Sequence, residues 1–109
     1  MRGILSEALK GHLDLLLMAA VEAEPAHGYA LIREIRERTR GTFDLAEGTI
    51  YPALQRLEDE GRLRSEWREV EGRKRRVYRL TATGRAELVR RRKDWRTFTL
   101  AVTRVLSKT

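Results

Sequence analysis

The stretch EGTIYPALQRLEDEG, residues 47–61, decides the fold. Ile50, Ala53, Leu54 and Leu57 recur at helical spacing and share one side, and Gly61 closes the run. Pro52 stands inside it. Proline has no N–H to give and its ring crowds the preceding turn. It is tolerated near a helix start, where the first amides have no partner within the helix. A helix over 48–60 that begins near Gly48 therefore accommodates Pro52. On a wheel of about 100° per residue, Gly48, Thr49, Pro52, Gln55, Arg56 and Asp59 fall opposite the apolar side, with Tyr51 on the flank. The amides of Gly48, Thr49 and Ile50 would then face an anion such as a phosphate. An ordinary amphipathic helix with an early proline satisfies the same pattern, so its neighbours must decide.

Upstream, Leu13, Leu16, Leu17 and Ala20 form an amphipathic helical face, and Leu15, Met18 and Val21 widen it beyond one side. A helix apolar on two sides packs against two things. Glu24-Pro25-Ala26-His27-Gly28 is a break. Residues 28–39 carry Leu31, Ile32 and Ile35 inward and Arg33, Glu34, Arg36 and Glu37 outward, a second short helix, and Arg40-Gly41-Thr42 breaks the chain again. Downstream of Gly61 the period becomes two. Leu63, Ser65, Trp67 and Glu69 alternate with Arg64, Glu66, Arg68 and Val70, and Arg76, Tyr78 and Leu80 alternate with Arg75, Val77 and Arg79. These runs predict a β-hairpin around Glu71-Gly72-Arg73. Lacking Asn-Gly, its loop is expected to exceed two residues. Thr81 suits an N-cap, and the chain reads as helix to about Leu106. Leu88, Trp95, Phe98, Val102 and Val105 fall at a and d positions there, with Arg91 the polar break.

Helix, helix, helix, hairpin, long helix is the order of a winged helix-turn-helix with an added C-terminal helix. The fold class is mostly α with a small β-hairpin. Residues 1–80 are expected to form the winged helix-turn-helix DNA-binding domain and 81–109 a C-terminal dimerisation helix. At 109 residues the chain is one domain with a thin core that a partner subunit can complete.

The formal net charge is +7 and there is no cysteine. Basic charge points to a polyanion partner. Absent cysteine excludes thiol chemistry, disulfides and Cys-type zinc sites. The apolar run 13–21 is interrupted by Asp14 and is too short to span a bilayer. Ser6, Glu7, Lys10 and Asp14 break any apolar leader after Arg2. A soluble cytoplasmic protein is expected. His12 and His27 are far apart and match no metal-ligand spacing, and no phosphate loop or catalytic triad is present. Neither an enzyme, a cofactor nor a metal is expected.

Between Arg62 and Arg79 there are eight cationic and three acidic side chains, densest at Arg73-Lys74-Arg75-Arg76. At a hairpin tip beside a recognition helix, such residues neutralise phosphates and give salt-sensitive affinity. The run Arg90-Arg91-Arg92-Lys93 reads mostly as solvated helix surface. Trp95 and Phe98 read as packing residues, with a sharper alternative: an aromatic-lined cleft for a small planar effector between subunits.

Four segments together carry a resemblance: KGHLDLLLMAAV (10–21), HGYALIREI (27–35), EGTIYPALQRLEDEGRL (47–63) and EGRKRRVYRLTATGRAEL (71–88). Over about residues 9–90 the chain resembles the PadR family of bacterial transcriptional regulators, and its single C-terminal helix resembles the short subgroup. The resemblance implies a homodimeric winged-helix repressor whose last helix crosses to the partner subunit near its first helix. It implies DNA contact by Gly48, Thr49 and Tyr51, and contact of Gly72, Arg73 and Arg75 with phosphates or the minor groove. It implies a planar aromatic effector at the dimer interface in some members, with Trp95 suitably placed. Ala46 stands where related sequences often have serine. Alanine caps poorly, so the helix start would lean on Asp44 or be ordered by DNA.

The expected DNA-binding residues are thus Gly48, Thr49, Tyr51, Pro52, Gln55, Arg56, Gly72, Arg73, Lys74 and Arg75. The expected effector residues are Trp95 and Phe98. The expected dimerisation residues are Leu13, Leu16, Leu17, Leu88, Trp95, Phe98, Val102 and Val105. The function read is a dimeric repressor binding double-stranded DNA at a palindromic operator. A winged-helix RNA-binding or protein–protein module is the alternative.

Overall fold

The computed structural model describes residues 9 and 11–108; the leader reading on Arg2, Ser6, Glu7 and Lys10 lies outside them. Among the described residues, four helices and three strands follow in the order α1 (Leu13–Ala23), β1 (Ala26–His27), α2 (Gly28–Arg38), α3 (Glu47–Asp59), β2 (Leu63–Val70), β3 (Arg73–Leu80) and α4 (Ala82–Leu106). This is the winged helix-turn-helix with a long last helix that the periodicities predict. The sheet is antiparallel with strand order β1-β3-β2. The β1 strand is only Ala26 and His27, opposite Tyr78 and Val77.

One core holds these elements together. Leu17, Met18 and Val21 of α1 meet Leu31 and Ile35 of α2 and Ile50, Leu54 and Leu57 of α3. Leu63, Tyr78 and Leu80 close it from the hairpin, and Leu88 seals it from α4. The core therefore runs past residue 80 into the first two turns of α4. Thr81 caps that helix: its hydroxyl accepts the Gly84 N–H at 3.0 Å and lies 2.7 Å and 3.0 Å from the carbonyls of Gly61 and Arg62. The buried residues of α4 are Gly84, Glu87 and Leu88. Beyond them Trp95, Phe98, Leu100, Val102, Val105 and Leu106 are exposed. At about 1.5 Å per residue, the 25 residues of α4 span about 37 Å, and most of that length has no cover from its own chain.

Two expectations on the dimer face need correction. Leu17 and Leu88 have no exposed surface. They are core residues of this chain and have nothing left to offer a partner. Leu13 and Leu16 are only partly buried against the core, and Trp95, Phe98, Val102 and Val105 are open.

The wing turn also differs from expectation. Val70 pairs directly with Arg73, so the loop is the two residues Glu71 and Gly72. Both have positive φ, 52° and 78°, the signature of a type I′ turn whose twist matches the strands. Glycine takes the second position freely, and Glu71 takes the strain of the first. A tight turn keeps the basic tip rigid.

Candidate nucleic-acid interface

The recognition unit is α2, the connection 39–46 and α3. Thr39 ends α2 by donating its hydroxyl to the Ile35 carbonyl at 2.8 Å and accepting the Phe43 N–H at 3.0 Å. Arg40 and Gly41 turn the chain at positive φ, and buried Leu45 anchors the approach to α3.

The start of α3 corrects three expectations. Ala46 occupies the cap and makes no side-chain bond, while Asp44 lies 3.7 Å from Arg36; Asp44 is engaged with α2. The Thr49 and Ile50 amides both donate to the Ala46 carbonyl, at 3.0 and 3.1 Å, so neither is free for a phosphate. The helix begins at Glu47, which makes Pro52 its sixth residue and not part of its first turn. The N–H that Pro52 lacks would have reached the Gly48 carbonyl. That carbonyl lies on the exposed side, where water or a ligand donor can reach it, and this limits the cost.

The outward face of α3 follows the wheel. Gly48, Thr49, Tyr51, Pro52, Gln55 and Arg56 are exposed, and Ile50, Ala53, Leu54 and Leu57 are buried. Tyr51 leans back on α2. A Cβ built on Gly28 would lie 2.5 Å from the Tyr51 ring, so Gly28 makes room for that ring. Gln55 donates to Asp59 at 3.0 Å. Arg56 makes a two-pronged ion pair with Asp14 of α1, at 2.6 and 3.0 Å, and Glu60 lies 3.6 Å away. The hydrogen bonding that Arg56 donates to Asp14 is the main cause that raises the Arg56 pKa, ahead of the opposing effect of burial. Arg56 thus staples α1 to α3, with its charge already answered.

The cations of the wing sort into two groups. Arg62 pairs with Glu60 and Glu87, Arg68 and Arg79 with Glu66, and Arg76 with Glu58. Among the described residues no carboxylate lies in ion-pair range of Arg64, Arg73, Lys74 or Arg75. The last three form the tip side of β3. Arg75 lies 5.8 Å above the Tyr29 ring of α2, within cation–π range, and its buried Nε has no partner. Tyr29, Glu47, Tyr51, Arg73, Lys74 and Arg75 line one concavity. The structure therefore brings Tyr51 of α3 beside the unpaired cations of the wing. His27, unused by the sequence reading, supports this junction. Its Nδ1 accepts the Ala30 N–H at 3.3 Å and caps α2. Burial, with Arg75 and Arg33 nearby, lowers its pKa, Glu71 acting the other way; the ring is neutral, as an acceptor must be.

A second concavity of about 290 Å³ lies where α1 meets α4, lined by His12, Leu15, Arg91, Asp94, Trp95 and Phe98 among others. His12 and Trp95 meet edge to face at 4.8 Å, and Trp95 and Phe98 lie 5.9 Å apart. The basic run above it is largely paired: Arg90 and Arg91 bond Glu87 at 2.5 and 2.8 Å, and Arg92 bonds Glu22 at 2.8 Å. Among the described residues there is no cluster able to hold a metal ion and no helix long and apolar enough to cross a membrane.

The family model of the transcriptional regulator PadR-like family matches residues 16–90. The chain belongs to this family. It is a DNA-binding transcriptional regulator and not an enzyme. It is 34% identical over 91 residues to an uncharacterised protein of Lysinibacillus sphaericus, covering 83% of this chain and 84% of that one. It is 48% identical over 67 residues to the transcriptional regulator Rv3488 of Mycobacterium tuberculosis, covering 62% of this chain and 60% of that one. A PadR-like transcriptional regulator from Bacillus cereus superposes with a TM-score of 0.84 at 27% identity, over 94% of this chain and 99% of that one.

Proposed function

We propose that this PadR-like regulator is a cytoplasmic homodimeric repressor of a palindromic operator. The observation that carries the reading is the continuity of the polar α3 face, through Tyr51, with Arg73, Lys74 and Arg75, tip cations of the wing that lack carboxylate partners. In this reading Thr49, Tyr51 and Gln55 lie against bases or the adjoining backbone. Gly48 and Pro52 give the helix start a low profile. Gly72, Arg73, Lys74 and Arg75 meet phosphates. Arg56 stays on the DNA side as a minor contributor, because Asp14 holds it. A second copy covers the exposed apolar stripe of α4 through Trp95, Phe98, Val102 and Val105, with Leu13 and Leu16 of α1. Two recognition helices then address half-sites about 34 Å apart. The groove at Trp95 and Phe98 takes a planar aromatic effector that releases the operator.

Selection of binding fragments from random duplex DNA tests the reading, followed by affinity measurements across salt concentrations. An inverted repeat is expected. In the double variant Arg73→Ala, Arg75→Ala the logarithmic salt slope should fall by about 1.8, about 0.9 for each phosphate contact. Uniform binding to every duplex, or a preference for RNA, would favour a nucleic-acid module of another kind. An unchanged affinity and slope in the double variant would remove the wing from the interface.

A further inference from the structure

Trp67 is 61% exposed in the middle of β2. A large apolar ring left open on a rigid strand calls for a partner. It is not loose: Arg76, its direct cross-strand neighbour, lies over it with the guanidinium carbon 5.2 Å from the ring centroid. Arg76 is itself held. Its Nε donates to Ser65 Oγ at 2.7 Å, and the Ser65 hydroxyl lies 2.8 Å from a Glu58 carboxylate oxygen of α3. The chain Glu58, Ser65, Arg76, Trp67 thus runs from the recognition helix to the wing and fixes the ring relative to α3.

Trp67 and Arg76 face a cleft of about 300 Å³ whose other walls include Tyr51, Lys74, Arg75 and Tyr78. Tyr51, Trp67 and Tyr78 share its walls with three cations, and among the described residues no acidic one lines it. Tyr51 opens it onto the exposed start of α3. A sugar–phosphate strand has the matching chemistry: C–H faces of deoxyribose for an aromatic ring, and anionic oxygens on either side for guanidinium and ammonium groups.

We propose that this cleft seats one sugar–phosphate unit of the bound DNA, with the deoxyribose on Trp67 and the adjoining phosphates at Arg76 and Lys74. The proposal rests on the DNA-binding reading of the α3 face and adds the side of the wing to its tip. Trp67 contributes a non-ionic contact and Arg76 an ionic one, and salt separates them. Trp67→Ala should weaken operator binding about tenfold, the scale of an aromatic anchor at an interface, with the salt slope unchanged. Trp67→Phe should keep most of the affinity. Arg76→Gln should weaken binding and lower the slope by about 0.9.

A direct readout uses the full chain labelled with 5-fluorotryptophan. There are two tryptophans, Trp67 and Trp95, so the fluorine signal missing from Trp67→Phe belongs to Trp67. That signal should shift when the selected duplex is added. A Trp67 signal that stays in place at saturating duplex, with Trp67→Ala binding as tightly as the parent, overturns the cleft. If Arg73→Ala, Arg75→Ala still weakens binding in that case, the DNA-binding reading stands without it. Failure of the parent protein to bind any duplex at low salt overturns both.

Discussion

Gly48→Ala should separate stability from function within one residue. Gly48 is the second residue of α3, on its exposed side, and a Cβ built there meets nothing within 4 Å. Glycine in a helix costs roughly 0.5–1 kcal/mol relative to alanine through backbone entropy. No packing offsets the gain, so the variant should be more stable by about 0.5 kcal/mol, the low end, because the site is in the first turn. The DNA complex should respond in the opposite sense. If the start of α3 abuts the duplex, the added methyl group enters a packed interface, where overfilling costs about 1–3 kcal/mol. That corresponds to a loss of roughly 5- to 150-fold in affinity. Urea unfolding at fixed protomer concentration gives the first number, and operator titration at one salt concentration gives the second. A gain in stability with unchanged affinity would refute the placement of Gly48 against DNA. A loss of stability would refute its placement on an open helical face.

Gly84→Ala should do the reverse, although alanine is again the better helix former. A Cβ there would lie 2.8 Å from Leu80 Cδ1 and 3.0 Å from the Arg62 carbonyl carbon, with the carbonyl oxygen closer still; urea unfolding should show a loss of about 1–3 kcal/mol. The His27 pKa is lowered from its ordinary 6.5 chiefly by burial, then by Arg75 and Arg33, with Glu71 opposing. Below about pH 6.5 the unfolded chain therefore binds the proton more readily, and stability should fall as pH drops through that range. His27→Asn keeps a capping acceptor and should flatten that part of a pH-dependent unfolding curve. Phe98→Glu with Val105→Glu places charge on the exposed stripe of α4. Sedimentation equilibrium should then report monomers, and operator affinity should fall by about a hundredfold or more as the second half-site contact is lost.

What was legible in the sequence follows from the range of the interaction involved. The α1, α2 and α3 faces, the Thr81 cap and the reach of α4 to Leu106 depend on spacings of three or four residues, which the chain carries locally. The hairpin strands were legible for the same reason, but the turn was not. The expectation of a longer loop rested on the missing Asn-Gly, whereas Glu71 tolerates positive φ ahead of Gly72 and the strand register enforces it. The β1 strand, at two residues, has no period to detect. Pairing across the fold was hidden altogether. Asp14 and Arg56 are 42 positions apart, so Arg56 looked like a free cation on a polar face. A count of eight cations against three acids between Arg62 and Arg79 could not say that, of those acids, Glu66 pairs with Arg68 and Arg79, that Arg62 and Arg76 turn to Glu60, Glu87 and Glu58 outside the run, and that Arg73, Lys74 and Arg75 at the tip stay unanswered. That sorting is what turns composition into a surface. A basic hairpin with charges paired at random would attract any polyanion diffusely. One whose unpaired cations adjoin Tyr51, with Arg76 held over Trp67 by Ser65, presents charge and an aromatic face at fixed positions relative to α3, as recognition of a regular duplex requires.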